Sequence, residues 1–264
     1  MQEQLLEKMK FNSQNYNLDE IKWLINNRGH PNSEIRDKLI YRTFVRGMAK
    51  ELFSIDQVRY MIDQLLEKDF ILFEIDKKGE ATLKRSFSLL LLSLIVTYDN
   101  EKGSIYYKLL DKEAFKKIEN DTLTYFYKEL DFSGYADCFG WVHTFAHAAD
   151  LMVAIVKHPL FNKTNLEAIW KAIMNYFRKI EIKPVDDEED RLVYIIKELF
   201  VHNILHEDKF KVWINRENFP RRNNKEYYQW SAFRSFCMAI YIELDQLGLA
   251  SDDLKKRLYD PINR

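Results

Sequence analysis

The sequence predicts an all-α protein of antiparallel helix pairs, either solenoid-like (HEAT-like) or packed as a compact helical bundle, in one domain over residues 1–264. Three observations favour this fold. The 264 residues include only 7 Gly and 5 Pro, and 47% of them are hydrophobic. A chain with few turn-forming residues favours long helices over many short strands. Apolar residues also recur at helical spacing in successive segments that are joined by short connectors.

Composition and charge narrow the function classes. Charged residues make up 31% of the chain, yet the formal net charge is -1, so no overall charge attracts nucleic acid or anionic lipid. The cysteines Cys138 and Cys237 form no CxxC pair, so neither a disulfide framework nor a cysteine-rich zinc site is expected. The chain starts too polar for a secretory signal. We therefore expect a cytoplasmic protein with no membrane partner.

Residues typical of helix ends indicate where the helices lie in the first part of the chain. The helix after Asn17 has Glu at its third position and a glycine stop at Gly29. A second helix starts at Pro31, with apolar residues at helical spacing. A third follows Ser54, where Gln57 completes a capping box.

Two apolar stretches come next. The segment 68–84, KDFILFEIDKKGEATLK, contains two short apolar runs. We interpret it as a loop, because no later segment offers a sheet for a strand to join. The run 86–98 holds 13 uncharged residues. It is too short to span a bilayer and predicts a buried core helix.

Five longer helices and a basic loop complete the expected architecture. The helices are predicted over 112–129, 138–157, 163–179, 191–206 and 227–246. An acidic run over 186–190 suits the positive end of the helix dipole that follows it. A basic loop is predicted over 209–225.

Several segments resemble a bacterial family known as domain of unknown function 2785. PNSEIRDKLIYRTF, LKRSFSLLLLSLIVTYD and FGWVHTFAHAADLMVAIVKHP are similar to three of its sequence blocks, in the same order. EDRLVYIIKELF and FRSFCMAIYIEL look like two later blocks. DFSGYADCFGW departs from the charged, glycine-rich lead-in of the family. The resemblance implies a helical fold and a bacterial, cytoplasmic origin, and it implies no established activity.

The stretch FGWVHTFAHAAD carries the candidate site. In a helix the side chains of His143, His147 and Asp150 share one stripe, because each residue turns the side chain by about 100°. Apolar residues cover most of the remaining surface of this segment, which predicts a buried helix. Buried polar groups need partners. The expected pocket is formed by Trp141, His143, His147, Asp150, Arg85 and Arg191.

Three interpretations of this stripe stay open. In the first, Asp150 accepts hydrogen bonds from a histidine, Arg85 or Arg191 in a structural network. In the second, His143, His147 and Asp150 bind a divalent metal such as zinc, manganese or iron. A zinc-protease helix has a glutamate after its first histidine, and that position is Thr144 here. In the third, a His–Asp pair serves acid–base chemistry in a small-molecule pocket.

These interpretations lead to three function hypotheses. The first is a binding or scaffold module with a protein or small-molecule partner and a groove lined by the polar stripe. The alternative is a metal-dependent hydrolase that uses the same residues. The third is nucleic-acid association through the basic loop 209–225, but a solvated surface is the commoner outcome for such a loop. A second HxxxH, His202 and His206, is interpreted as exposed, and no residue is identified as catalytic.

Overall fold

A computed structural model describes residues 1–10 and 15–260 of the chain. These residues form twelve α-helices, and their only strands are two of two residues each, which confirms the predicted all-α class. The contacts between residues divide the chain into two compact units, Met1–Leu160 and Phe161–Arg264. The single domain and the helical repeat stay predictions.

The first unit holds seven α-helices, a π-helix and a small hairpin. The α-helices are α1 (Gln2–Lys10), α2 (Leu18–Asn27), α3 (Arg42–Ala49), α4 (Ile55–Glu67), α5 (Glu80–Asn100), α6 (Lys112–Lys128) and α7 (Thr144–Lys157). The π-helix Glu34–Tyr41 lies directly before α3, and the strands β1 (Tyr135–Ala136) and β2 (Gly140–Trp141) pair antiparallel before α7. Both predicted capping boxes form, at Asn17 and at Ser54.

Helix α5 is the central helix of the first unit. It has 21 residues and packs most extensively against α7. By length and composition alone α5 could cross a membrane, but 78% of its most apolar window is buried inside the protein. A core helix passes the same test, and burial on this scale agrees with the core helix predicted over 86–98. Of the segment 68–84 interpreted as a loop, residues 68–79 contain no strand, whereas residues 80–84 already belong to α5.

Part of the helix predicted after Pro31 is a π-helix rather than an α-helix. Its wider turns replace the regular α-helical spacing over Glu34–Tyr41. Runs of π-helix are rare and are found most often at functional sites. This one carries Arg36, which is fully buried, and Asp37. The π-helix therefore sets the direction of two charged side chains that the candidate site uses.

Gly29 is required where the end of α2 meets α5. A Cβ atom at this position would lie 2.6 Å from both the N and the Cα of Lys84, which belong to the backbone of α5. We expect Gly29→Ala to lower the free energy of unfolding by about 2 kcal/mol, because the two helices would have to separate. Urea denaturation of both proteins measures this difference.

Gly103→Ala is the matched control for this substitution. Among the described residues, no heavy atom outside the local chain lies within 4 Å of a Cβ built on Gly103. We expect this variant to stay within about 0.5 kcal/mol of the native chain. Equal losses in the two variants would show that the close approach to α5 does not explain Gly29.

The second unit holds five α-helices around an aromatic core. They are α8 (Leu166–Lys179), α9 (Glu188–Val201), α10 (Glu207–Arg216), α11 (Asn224–Gln246) and α12 (Asp252–Tyr259). The rings of Phe177 and Phe236 lie 5.0 Å apart, and Trp170 stacks on Trp213 at 5.3 Å. α9 ends at Val201, five residues before the predicted end, because the chain turns at Asn203 with a φ of 53°.

The basic loop predicted over 209–225 is half helix. Its first residues belong to α10, and the aromatic rings of Trp213 and Phe219 are buried. Several of its cations pair with carboxylates: Lys211 with Glu207, Asp208 and Asp253, Arg216 with Glu167, Arg222 with Glu226 and Lys225 with Glu181. Single-stranded nucleic acid is held by exposed rings beside available cations. The geometry of this segment thus gives no support to the nucleic-acid hypothesis.

Candidate functional site

His143 lies just before helix α7 rather than inside it. The helix predicted over 138–157 begins at Thr144, because residues 135–141 form the hairpin instead. His143 has a left-handed backbone with a φ of 50°, which is uncommon for a residue other than glycine. Its N–H donates to the carbonyl oxygen of Gly134 at 3.0 Å, and Thr144 Oγ1 donates to that of Ser133 at 2.9 Å. These bonds fix the entry of the chain into α7.

The two histidines of the stripe still lie together. Their ring centroids are 5.3 Å apart, and the indole of Trp141 stacks on His143 at 4.6 Å with an interplanar angle of 7°. Trp141 is exposed, His143 is half-buried and His147 is buried. The three rings therefore lead from solvent into the core of the first unit.

Ser86 determines which nitrogen of His147 carries a proton. Its hydroxyl Oγ lies 2.6 Å from the carbonyl oxygen of Val142 and 2.8 Å from Nδ1 of His147. A carbonyl oxygen only accepts, so the single hydroxyl proton points to Val142 and Nδ1 of His147 donates to Ser86. A neutral imidazole in this state has its lone pair at Nε2. Ser86 thus holds the ring in one tautomer.

Arg36 joins the π-helix to the hairpin and to the histidines. Its Nη2 donates to the carbonyl oxygens of Phe139 at 2.9 Å and Trp141 at 3.0 Å. Its guanidinium lies 4.7 Å from the ring centroid of Phe87, and that ring meets His147 edge to face at 5.1 Å. We call Arg36, Ser86, Phe87, His143 and His147 the histidine cluster. Most of its contacts join residues that are far apart in sequence.

Asp37 is the carboxylate next to the histidine cluster. Both of its oxygens accept from Arg36, at 2.9 and 3.1 Å. Burial raises the pKa of this carboxyl, while the hydrogen bonds and charge of Arg36 and the charge of His143 oppose the rise. Sequence reasoning missed both residues. The sequence signal for them was the adjacent Arg and Asp in PNSEIRDKLIYRTF. Helical spacing alone does not distinguish such a pair from charged residues on the surface.

Asp150 lines a groove between α5 and α7. The groove has a volume of about 350 Å³. Its lining consists of Tyr41, Leu90, Ser93, Thr97, Asn100, Glu101, Asp150, Val153, Ala154 and Lys157. We call it the α5–α7 groove. Leu90 also packs in one hydrophobic cluster with Phe87 and Val142, and Tyr41 contacts that cluster, so the groove adjoins the histidine cluster.

The predicted metal ligands do not form a metal-binding group. Over residues 1–10 and 15–260, no three His, Cys, Asp or Glu side chains are placed to hold a metal ion together. Asp150 lines the groove, whereas His147 bonds Ser86. A zinc, manganese or iron site at His143, His147 and Asp150 stays a prediction, and the geometry gives it no third ligand.

Arg85 is not the partner of Asp150. It forms a buried pair with Glu129, with Nε–Oε2 and Nη2–Oε1 distances of 2.8 and 3.0 Å. Its remaining donors reach the carbonyl oxygens of Phe73, Glu74 and Lys77. All five N–H groups of this guanidinium are thereby used. Arg191 is exposed on α9 of the second unit.

His158, His202 and His206 lie outside the histidine cluster. His158 is buried: its Nε2 lies 2.8 Å from Asp99 Oδ2, and its Nδ1 accepts from the N–H of Leu160. An accepting Nδ1 makes Nε2 the donor to Asp99. His202 and His206 are exposed, as expected.

Fold and site together define an all-α protein with a polar cluster between a π-helix, a hairpin and the helices α5 and α7. The family model described as "Protein of unknown function (DUF2785)" matches residues 71–242. This range covers more than half of the chain, which therefore belongs to this family, as its sequence blocks predict. No curated protein and no solved structure matches the chain significantly.

Proposed function

We propose that this protein is a binding module whose small-molecule ligand occupies the α5–α7 groove. The observation that carries this proposal is the set of polar side chains that converge in this groove. Tyr41, Ser93, Thr97, Asp150 and Lys157 all line it. Ligand pockets are concave and combine apolar walls with a few convergent polar groups, in volumes from about 300 Å³ upward.

The histidine cluster adjoins this groove through Phe87, which packs with the groove residue Leu90. Arg36, Ser86 and His147 have fixed partners, and the buried side chains Phe87 and Leu90 pack in one hydrophobic cluster. A groove built on fixed side chains loses little entropy when it binds a ligand. The alternative of a metal-dependent hydrolase is not proposed, because the described residues provide no third metal ligand.

A groove-filling substitution tests the proposal. Val153 lines the groove and is half-buried, so Val153→Trp is expected to fill it. A library of small polar compounds is measured by saturation-transfer NMR against the native chain and this variant. We expect compounds that bind the native chain to lose binding to Val153→Trp.

Val45→Trp is the matched control. Val45 is exposed on α3 and does not line the groove. Binding to this variant is expected to equal binding to the native chain. The proposal is wrong if every compound that binds does so equally to Val153→Trp and Val45→Trp, or if no compound binds the native chain.

A further inference from the structure

The hydroxyl groups on the α5 side of the groove have already used their protons. Ser93 Oγ donates to the carbonyl oxygen of Leu90 at 2.8 Å, and Thr97 Oγ1 donates to that of Ser93 at 2.7 Å. A hydroxyl has one proton and two acceptor sites. Toward a ligand, both groups therefore present lone pairs and accept hydrogen bonds.

The other polar side chains of the groove are mostly hydrogen-bond acceptors as well. The amide Nδ2 of Asn100 donates to the carbonyl oxygen of Lys157 at 3.2 Å, which assigns its Oδ1 as an acceptor. The carboxylates of Asp150 and Glu101 line the groove, and an ionised carboxylate only accepts, with about four acceptor sites. Five groups on the wall thus accept, whereas the donors among the lining side chains are Lys157, Tyr41 and the second N–H of Asn100.

The net charge of the groove also favours a ligand that donates hydrogen bonds and is positively charged. The groove is lined by two carboxylates, Asp150 and Glu101, against one ammonium group, Lys157, which leaves one net negative charge. An anion placed here would approach both carboxylates. A protonated amine brings up to three N–H donors and a positive charge, and hydrogen bonds between ionised groups are roughly twice as strong as neutral ones.

We propose that the α5–α7 groove binds a short aliphatic ammonium compound, with its charged nitrogen held by Asp150, Thr97 and Ser93. This inference rests on the proposed function and names the ligand class for the same groove. The aliphatic part of the ligand lies against Leu90, Val153 and Ala154, which form the apolar wall.

Three probes of similar length and different charge test this class. Isothermal titration at low salt measures 1,4-diaminobutane, 1,4-butanediol and succinate against the native chain, because salt screens exposed charges. We expect the diamine to bind at least about tenfold more tightly than the diol, since charge assistance is lost in the alcohol. Succinate is expected not to bind.

Two substitutions locate the charged nitrogen. Asp150→Asn removes one charge, and Thr97→Val removes one acceptor while it keeps the shape of the side chain. Each is expected to weaken diamine binding, the first by about tenfold or more. Asp63→Asn is the matched control, since Asp63 is exposed on α4 and does not line the groove. Circular dichroism verifies that each variant is folded. If Asp150→Asn is not folded, Thr97→Val alone tests where the charged nitrogen is held.

The outcomes separate this inference from the proposed function. If the diol or succinate binds as tightly as the diamine and loses binding in Val153→Trp, the groove binds ligands but the ammonium class is wrong. If diamine binding is unchanged in both Asp150→Asn and Thr97→Val, the inference is also wrong. If no probe or library compound responds to Val153→Trp, the proposed function itself fails.

Discussion

Replacing Arg85 with alanine is expected to lower the free energy of unfolding of the first unit by about 4 kcal/mol. Arg85 and Glu129 are both fully buried and share two hydrogen bonds. Removing one partner of a buried ion pair leaves the other charge without compensation, which costs about 3–5 kcal/mol. The loop 68–79 would also lose the donors that reach three of its carbonyl oxygens. Urea denaturation of the native chain and the variant measures the loss.

A double-mutant cycle shows whether the pair causes this loss. Arg85→Met and Glu129→Gln each leave one buried charge, whereas the double variant leaves neither. We expect the double variant to be more stable than the sum of the single losses predicts, by about 2 kcal/mol. Arg59→Ala, at an exposed position on α4, is the control and is expected to change stability by less than about 0.5 kcal/mol. Additive losses would contradict a role of the ion pair.

Features set by neighbouring residues could be predicted from the sequence. The capping boxes at Asn17 and Ser54 depend on residues three positions apart, and the core helix over 86–98 depends on an unbroken apolar run. Hydrophobic periodicity reports such local order directly. The all-α class follows from the same signals, because they repeat along most of the chain.

Features set by distant contacts could not be predicted in this way. The hairpin before α7 has strands of only two residues, too short to show an alternating pattern. It is fixed by Arg36, which bonds Phe139 and Trp141 from more than 100 positions away. With the hairpin in place, His143 becomes the residue before α7 rather than part of its stripe. The geometry around His143 therefore depends on a contact between distant residues that periodicity does not show.

The acidic run over 186–190, at the start of α9, contains two buried carboxylates. Glu188 and Glu189 are buried there, and Oε2 of Glu189 finds no hydrogen-bond partner among the described residues. Burial raises the pKa of Glu189 to about 7, and the charges of Asp190 and Asp187 act in the same direction. The dipole of α9 alone would favour the charged form. Burial thus outweighs the helix dipole at this position.

This raised pKa makes the stability of the second unit depend on pH. The ordinary pKa of a glutamate is 4.5, so the folded chain binds the proton of Glu189 more tightly than the unfolded chain does. The stabilisation from this proton is complete below about pH 4.5 and is lost as pH rises through about 7. Glu189→Gln keeps a neutral side chain of the same shape at every pH. We expect this variant to be about 3 kcal/mol more stable than the native chain at pH 8 and about 1 kcal/mol more stable at pH 5.

Urea denaturation at pH 5, 6, 7 and 8 measures this difference. Glu113→Gln is the matched control, because Glu113 also lies in the first turn of its helix, α6, but is exposed. The difference between this control and the native chain is expected to stay within about 0.5 kcal/mol at all four values. A gain in Glu189→Gln that is the same at pH 5 and pH 8 would show that shape or packing, rather than the buried charge, sets the cost of Glu189. Because neutral glutamate and glutamine differ little in volume, only the charged state of Glu189 makes the two chains diverge as pH rises.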